Sequence, residues 1–132
     1  MNNKNSGSFL HILYLSTSMV ISINDNKFSC VVVYTPNKIM EGMMGKTFDG
    51  FDGMLFIMPE DTIQSFWMKN CIVPIDMLFI SDGIVEDISP NCPPCVSDPC
   101  PSYQGKGGFV LELPGGTCRS KKIRIGDEVV FE

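Results

Sequence analysis

The polar and aromatic side chains between Trp67 and Asp76 form the group in this chain that is best suited to chemistry. Trp67 is the single tryptophan, Lys69 and Asn70 follow it closely, and Asp76 opens an apolar run. Tryptophan offers a large rigid surface, lysine and the amide donate hydrogen bonds, and the carboxylate accepts them. Apolar and polar groups meet in this way at the rim of a pocket. We therefore predict that Trp67 and Asp76 border a common concavity, which binds a small ligand or a partner protein.

Asp76 has two interpretations. In the first, its carboxylate belongs to the binding site, or acts with Lys69 as a catalytic group. In the second, it accepts hydrogen bonds from backbone N–H groups where the apolar strand at residues 77–80 begins, and its role is structural. The spacing gives no support to acid–base catalysis by Asp76 with a second acid such as Glu112 or Asp127.

The cysteines offer a second kind of chemistry. Three of the six, Cys92, Cys95 and Cys100, lie in one proline-rich stretch. The four residues between Cys95 and Cys100 allow a disulfide, because they can bring the two Cα atoms to the separation of roughly 4.4–6.8 Å that a bridge needs. A zinc site at Cys92, Cys95 and Cys100 would need a fourth ligand, such as His11 or Cys118. Free thiols throughout are a further alternative.

Metal and nucleophile chemistry have little other support. Met40, Met43, Met44 and Met68 could hold a soft ion such as Cu(I), but core packing explains methionines without a metal. The chain lacks a phosphate-binding loop, a nucleophile elbow and a His–Glu–His set, and its single histidine, His11, cannot build a cupin-type metal site. We expect no cofactor.

Composition limits the classes of partner. The chain has 132 residues, of which 44% are hydrophobic and 19% charged, as in a globular domain with its own core. Its net charge is −5, so we expect no nucleic-acid partner, because phosphate binding requires a basic surface. A single basic cluster has two interpretations, a solvated turn before the last strand or an anion site: Arg119, Lys121, Lys122 and Arg124.

The N-terminal residues differ from the remainder. Residues 9–15 form an apolar run after a polar start, and residues 16–18 are small, which is typical of a short signal peptide. A strand is an equal alternative for this run. We predict an extension or signal-like segment at residues 1–18 and a single β domain at 19–132, in a cytoplasmic or exported protein. No run is long enough for a transmembrane helix, and the oligomeric state is left open.

Turn residues at regular spacing predict a mainly β fold. Residues 24–27 and the pair Asp82-Gly83 are typical of hairpin turns. Thr35 and Pro36 predict the N-cap and first residue of a short helix, which we expect to end at Gly45. About eight short strands with one or two short helices indicate a jelly-roll-like β-sandwich or a partly open barrel.

Two irregular segments are also expected. Pro59 and the residues up to Thr62 predict a turn between two short strands at 54–58 and 64–68. Residues 89–108 are rich in proline, glycine and cysteine and predict one long loop. Loops of this length in small domains are usually functional or disordered.

Several strings resemble one known family. They are Gly53-Met54-Leu55-Phe56, Phe66-Trp67-Met68-Lys69-Asn70 and Pro74-Ile75-Asp76-Met77-Leu78-Phe79-Ile80, with flanking matches at residues 35–45, 93–103, 110–117 and 125–129. Together they resemble domain-of-unknown-function family 192 (uncharacterised protein family 0127) over roughly residues 19–132. The resemblance implies a compact, mostly β, jelly-roll-like sandwich. It implies no activity, since none is established for the family. Cys92 lies outside the family-like pattern and is a spare reactive thiol or an alternative partner in the bridge.

We therefore expect a non-enzymatic module that binds a small ligand or a partner protein through the loop from Trp67 to Asp76 and the cysteine-containing loop predicted at residues 89–108. Tyr103, in the matched cysteine segment, joins Trp67, Lys69, Asn70 and Asp76 as a candidate ligand-binding residue. The alternatives are an enzyme that uses Asp76 with Lys69 or a loop cysteine, and a protein that handles a soft metal.

Overall fold

The computed structural model describes residues 18–132, which form seven strands and two short helices. The strands are β1 (Ser18–Ile23), β2 (Asn26–Val33), β3 (Gly53–Trp67), β4 (Ile75–Ser81), β5 (Ile84–Cys92), β6 (Ser102–Pro114) and β7 (Val129–Phe131); the helices are α1 (Pro36–Glu41) and α2 (Thr117–Lys121). Neither described helix is long and apolar enough to cross a bilayer. His11 and the predicted N-terminal segment up to residue 17 lie outside the described residues.

The seven strands form one curled sheet in the order β5-β4-β6-β3-β2-β1-β7. Its paired strands run antiparallel except for β2 and β3, which run parallel. The two ends of the sheet meet in part, because Val85 N–H donates to the Asp127 carbonyl and Gly126 N–H to the Val85 carbonyl. The predicted mainly β fold is confirmed, and of the two predicted architectures it is the partly open barrel.

Each face of the sheet carries its own apolar cluster. The inner cluster takes residues from all seven strands and from α2: Ile21, Ile23, Phe28, Cys30, Val32, Leu55, Leu78, Ile80, Val85, Leu111, Leu113, Cys118, Ile123 and Val129. The outer cluster lies on the opposite face under α1 and the connecting segments: Val33, Met43, Met54, Phe56, Met68, Cys71, Ile75, Met77, Phe79, Cys92 and Val110. Strands buried on both faces explain why their sequences are nearly continuous apolar runs.

The two predicted hairpin turns and the predicted N-cap are correct. Asn24 and Asp25 both take positive φ angles, 50° and 64°, in the two-residue connection from β1 to β2. Asp82 and Gly83 do the same at 59° and 70° between β4 and β5. Asparagine, aspartate and glycine tolerate this left-handed conformation, which matches the twist of a hairpin. Thr35 is the N-cap of α1, as predicted, with its side chain accepting from Lys38 N–H.

The predicted end of α1 at Gly45 is wrong. The helix ends at Glu41, and Gly42 is its C-cap with φ 46°. The chain turns early because it passes over the Phe56 ring, and a Cβ at Gly42 would lie 3.2 Å from that ring. This close approach places α1 against the outer face of β3.

The predicted turn from Pro59 to Thr62 is also wrong. These residues lie within β3, which pairs with β6 on both sides of a register shift between Ile57 and Thr62. A bulge of this kind accommodates proline and extra residues inside a strand without ending it. The long partner β6 keeps β3 continuous, which the local sequence does not reveal.

The predicted loop at 89–108 is much shorter in the structure. β5 continues to Cys92 and β6 begins at Ser102, so only residues 93–101 connect them irregularly. Gly105 and Gly107, which locally favour a loop, lie in β6 where the chain packs closely. A Cβ at Gly105 would overlap the Phe79 ring, so glycine here serves close packing rather than a turn.

Candidate functional site

A groove of about 330 Å³ opens between α1 and the outer face of β3. Its sides are mainly apolar, with methionines from α1 and the following turn on one side and aromatic rings from β3 on the other. The residues are Ile39, Met40, Met43, Met44, Phe56, Met58, Phe66 and Trp67. Phe56 and Phe66 contact edge to face, with ring centroids 5.0 Å apart. The rings fix one wall of the groove, while unbranched methionines on the other can adapt to an occupant.

Glu112 lines this groove and is almost fully buried, at 3% exposure. It lies on β6 opposite Met54 of β3 and Met77 of β4, so its side chain shares the face of the outer cluster. Within residues 18–132 its carboxyl group makes no hydrogen bond or ion pair. Burial raises the pKa of Glu112 from 4.5 to about 8, so the group is protonated near neutral pH.

The two thiols around Glu112 are poor nucleophiles. Burial raises the pKa of Cys71 and of Cys92 to about 11. The charge of Glu112 contributes further at Cys71, and the charges of Asp76 and then Glu112 contribute further at Cys92. The nucleophile in cysteine chemistry is the thiolate, which such pKa values suppress at neutral pH. The arrangement therefore offers a buried acid in an apolar groove, without an activated nucleophile beside it.

Trp67 and Lys69 form the rim of the groove. Trp67 is 42% exposed, and the Lys69 ammonium nitrogen lies 5.3 Å from the centroid of its ring. The same nitrogen lies 3.0 Å from both carboxylate oxygens of Asp98. The lysine is thus neutralised by an acid from the segment that connects β5 to β6, while its aliphatic stem borders the groove.

The cysteine loop, residues 93–101, supports this rim. Cys95 and Cys100 are joined by a disulfide with Cα atoms 5.9 Å apart. Asn70 N–H donates to the Cys95 carbonyl at 2.8 Å, and Lys69 and Cys95 form an isolated β-bridge. Because Cys95 and Cys100 bond to each other, the arrangement does not support a zinc site that includes Cys92. Within residues 18–132, no three histidine, cysteine or acidic side chains gather as metal ligands.

The predicted common concavity of Trp67 and Asp76 is wrong. Asp76 is fully buried and borders a different cavity, of about 640 Å³, which is also lined by Arg119, Lys122 and Arg124. Side chains alternate along a strand, and Ile75 and Met77 on either side of Asp76 belong to the outer cluster. Asp76 therefore points to the other face of the sheet, away from the groove.

Asp76 accepts hydrogen bonds from three backbone N–H groups. Asn91 donates to it at 2.7 Å, Gly116 at 3.0 Å and Cys118 at 2.8 Å. Gly116 is the N-cap of α2 and has no side chain to satisfy the first N–H groups of that helix. Asp76 supplies the missing acceptor from β4 and also anchors β5, which is the second of its two interpretations.

Asn70 and Tyr103 do not line the groove. Asn70 is exposed with φ 59°, and its carbonyl accepts from Gly45 N–H, so its backbone shapes the connection from β3 to β4. Tyr103 pairs with Phe66 across β3 and β6 and packs against the outer cluster. Of the predicted binding residues, Trp67 and Lys69 are the two that border the groove.

Sequence reasoning considers Glu112 only as a second acid for Asp76 and does not place it beside Trp67 in the groove. The signal was present in the sequence. Phe109, Leu111 and Leu113 occupy one face of an apolar strand, and Val110 and Glu112 occupy the other. A carboxyl group in such a run is rarely buried without a partner.

Comparison with known proteins places the chain among uncharacterised relatives. The family DUF192, uncharacterized ACR, matches residues 19–131. A search of curated proteins finds no match.

Two solved structures are similar in fold. A "putative transcription regulator" from Sinorhizobium meliloti 1021 is 26% identical, with a TM-score of 0.77 over 86% of this chain and 93% of its own. A protein of unknown function from Novosphingobium aromaticivorans DSM 12444 is also 26% identical, with a TM-score of 0.71 over 86% of this chain and 83% of its own.

Proposed function

The chain belongs to DUF192, a family of uncharacterised proteins, and we propose from its groove that it is a non-enzymatic module that binds a small, mainly apolar ligand. The groove between α1 and β3 is the binding site. Trp67 borders its mouth, methionines and phenylalanines form its walls, and Glu112 supplies the polar contact.

The observation that carries this proposal is the buried carboxyl group of Glu112, which has no partner within the described residues. Leaving a buried polar group without a hydrogen bond costs roughly 1–3 kcal/mol. Such a group in a native protein calls for an explanation, and a ligand that bonds to it removes the cost. An apolar cleft with a few polar groups is the usual form of a small-molecule site.

Binding is better supported than catalysis. A catalytic acid needs a second group that acts on the same substrate, such as a base, a nucleophile or an oxyanion donor. Cys71 and Cys92 are held as thiols, and Lys69 is paired with Asp98. Asp76, the other candidate acid, lies across the sheet.

A fragment screen by NMR and tryptophan fluorescence tests the proposal. Trp67 is the only tryptophan, so its emission reports on the groove alone. We expect small amphiphilic fragments to change this emission and to shift the amide resonances of α1 and β3. If no fragment of any charge class perturbs these elements, the groove is not a binding site.

A matched pair of variants locates the site. Ser65 lines the groove on β3, whereas Thr62 is an exposed residue of the same strand outside the lining. Ser65→Phe should fill the groove and abolish the fragment shifts, while Thr62→Phe adds the same ring elsewhere and should leave them intact. Equal loss in both variants would indicate a general disturbance of β3.

A further inference from the structure

Within residues 18–132, the acidic and basic side chains that line the groove are paired by the protein with one exception. Glu41 pairs with Lys46, and Lys69 pairs with Asp98. Glu112 alone has no counter-charge within the described residues. A cationic ligand would give Glu112 an ion-pair partner. An anionic ligand would meet only the acid Glu112 and Lys69, which is already paired with Asp98.

The walls of the groove form suitable surroundings for an organic cation. Phe66 and Trp67 present aromatic rings, and cations bind to the faces of such rings when water is excluded. Met40 and Met44 add polarizable thioethers on the facing side. A strongly hydrated inorganic ion would lose its water here without gaining enough oxygen ligands, because the described part of the chain supplies the groove with one unpaired carboxyl group.

We infer that the ligand of this groove is an organic amine bound in its ammonium form, with the nitrogen beside Glu112 and the apolar body along the methionines and Trp67. This inference rests on the groove being a ligand site. Binding converts Glu112 from its acid to its carboxylate form. One proton passes from the Glu112 carboxyl group to the solvent, and an ion pair with the ammonium group replaces it.

The proton release gives amine binding a distinct pH dependence. Below the pKa of about 8 for Glu112, affinity should rise about tenfold per pH unit, because one proton must leave. The titratable groups facing Glu112 are the thiols of Cys71 and Cys92, which stay protonated because their pKa values are about 11. The other charged groups lining the groove are Glu41, whose pKa the neighbouring Lys46 lowers, and Lys69, paired with Asp98.

Three probes of matched length separate the possible ligand classes: hexylamine, hexanol and hexanoate. Titration calorimetry in two buffers of different ionisation enthalpy measures both affinity and proton release. We expect hexylamine to bind most tightly and to release close to one proton near neutral pH, and the two other probes to release none. His11→Gln removes the single histidine and should leave the pH slope unchanged.

Glu112→Gln provides the decisive variant. The amide keeps the size of the side chain and cannot form an ion pair, so hexylamine should bind at least about tenfold more weakly, while hexanol should be affected little. A Glu112→Gln protein that does not fold leaves the proton release of the unaltered protein as the test.

The outcomes distinguish the two proposals. Hexanol or hexanoate binding in the groove as tightly as hexylamine, without proton release, overturns the amine inference and leaves the binding function standing. Failure of all three probes together with the wider fragment set overturns the binding function itself. A pH slope that persists in Glu112→Gln also overturns the amine inference, because another group would then release the proton.

Discussion

Two buried carboxyl groups on neighbouring strands have opposite roles because of strand register. Met77 pairs with Glu112 and Asp76 pairs with Leu113, so the two acids lie on opposite faces of the sheet. Asp76 receives three backbone N–H donors, which stabilise its carboxylate. Glu112 receives none within the described residues and remains a protonated acid near neutral pH. The first holds the fold together, and the second is the group that we propose binds a ligand.

Asp76→Ala should destabilise the protein strongly. It would leave three buried or partly buried N–H groups without an acceptor, and hydrogen bonds to charged groups contribute roughly 1.5–3 kcal/mol each. We expect a loss of at least about 3 kcal/mol in the free energy of unfolding, measured by chemical denaturation. Asp52→Ala is the matched control, because Asp52 accepts from the backbone N–H of Ser29 near the surface. Equal losses for the two variants would contradict the capping role of Asp76.

Glu112 should make the protein less stable as pH rises. Its pKa is about 8 in the folded chain and 4.5 ordinarily, so between these values the folded state binds one more proton than the unfolded state. The free energy of unfolding should therefore fall by about 1.4 kcal/mol per pH unit in this window from this group, and level off above it. Below 4.5 both states are protonated and the contribution is constant.

Denaturation curves across this pH range measure that slope. The side chain in Glu112→Gln cannot titrate. In this variant the fall in the free energy of unfolding with pH should therefore be smaller by about 1.4 kcal/mol per pH unit. Glu86→Gln is the control, because Glu86 is exposed on β5 and its substitution removes the same charge from the surface. If Glu112→Gln and Glu86→Gln keep the same slope, the carboxyl group of Glu112 is not held in its acid form.

Elements set by local chemistry could be predicted, whereas those set by pairing partners could not. Asn24 and Asp25 adopt a tight hairpin turn whatever lies around them, and Thr35 caps α1 with its own side chain. Pro59, in contrast, indicates a turn locally but lies inside β3 because β6 pairs with that strand on both sides. The prediction that Asp76 and Trp67 border one concavity is wrong for the same reason. The face of the sheet on which a side chain lies depends on the strands that flank it.

Gly105 in β6 should be intolerant of any side chain. A Cβ at this position would overlap the Phe79 ring of the outer cluster, and β4 and β6 would have to separate. Overpacking of a core costs roughly 1–3 kcal/mol, so we expect Gly105→Ala to lower the free energy of unfolding by about that amount. Gly108→Ala on the same strand is the control, because its Cβ would meet Asp61 at an ordinary distance of 3.4 Å. A harmless Gly105→Ala would mean that the two strands are farther apart than described.

The two faces of the sheet in the partly open barrel have different roles. The inner cluster joins all seven strands and closes the fold, so its residues serve packing. Within residues 18–132, the outer cluster is covered incompletely by a six-residue helix and irregular segments, and the groove opens where this cover ends. The sequence resemblance predicted the mainly β fold, whereas the jelly-roll-like sandwich that it implies is not confirmed. The groove depends on how α1 and the cysteine loop settle on the sheet, which no local pattern encodes.

The cysteine loop should be the redox-sensitive part of the molecule. Cys95 and Cys100 are bonded, whereas Cys30, Cys71, Cys92 and Cys118 are free and buried. Burial raises the pKa of all four free thiols, to about 11 or 12, which makes them slow to alkylate in the folded protein. Alkylation of the native protein after mild reduction should therefore label Cys95 and Cys100 first, as peptide mapping by mass spectrometry would show.

Reduction of the disulfide between Cys95 and Cys100 should alter the rim of the groove more than it lowers the free energy of unfolding. The disulfide closes a very short loop, so its contribution should be below the roughly 3 kcal/mol estimated for a loop of 15 residues. Its loop carries Asp98, which holds Lys69 over the Trp67 ring, and Cys95, which accepts from Asn70 N–H. We expect Cys95→Ser with Cys100→Ser to shift Trp67 emission while changing the denaturation midpoint little. Asp98→Asn, which weakens the ion pair but keeps the disulfide, should reproduce part of the emission change. An emission unaltered by both variants would show that the loop and the groove are independent of each other.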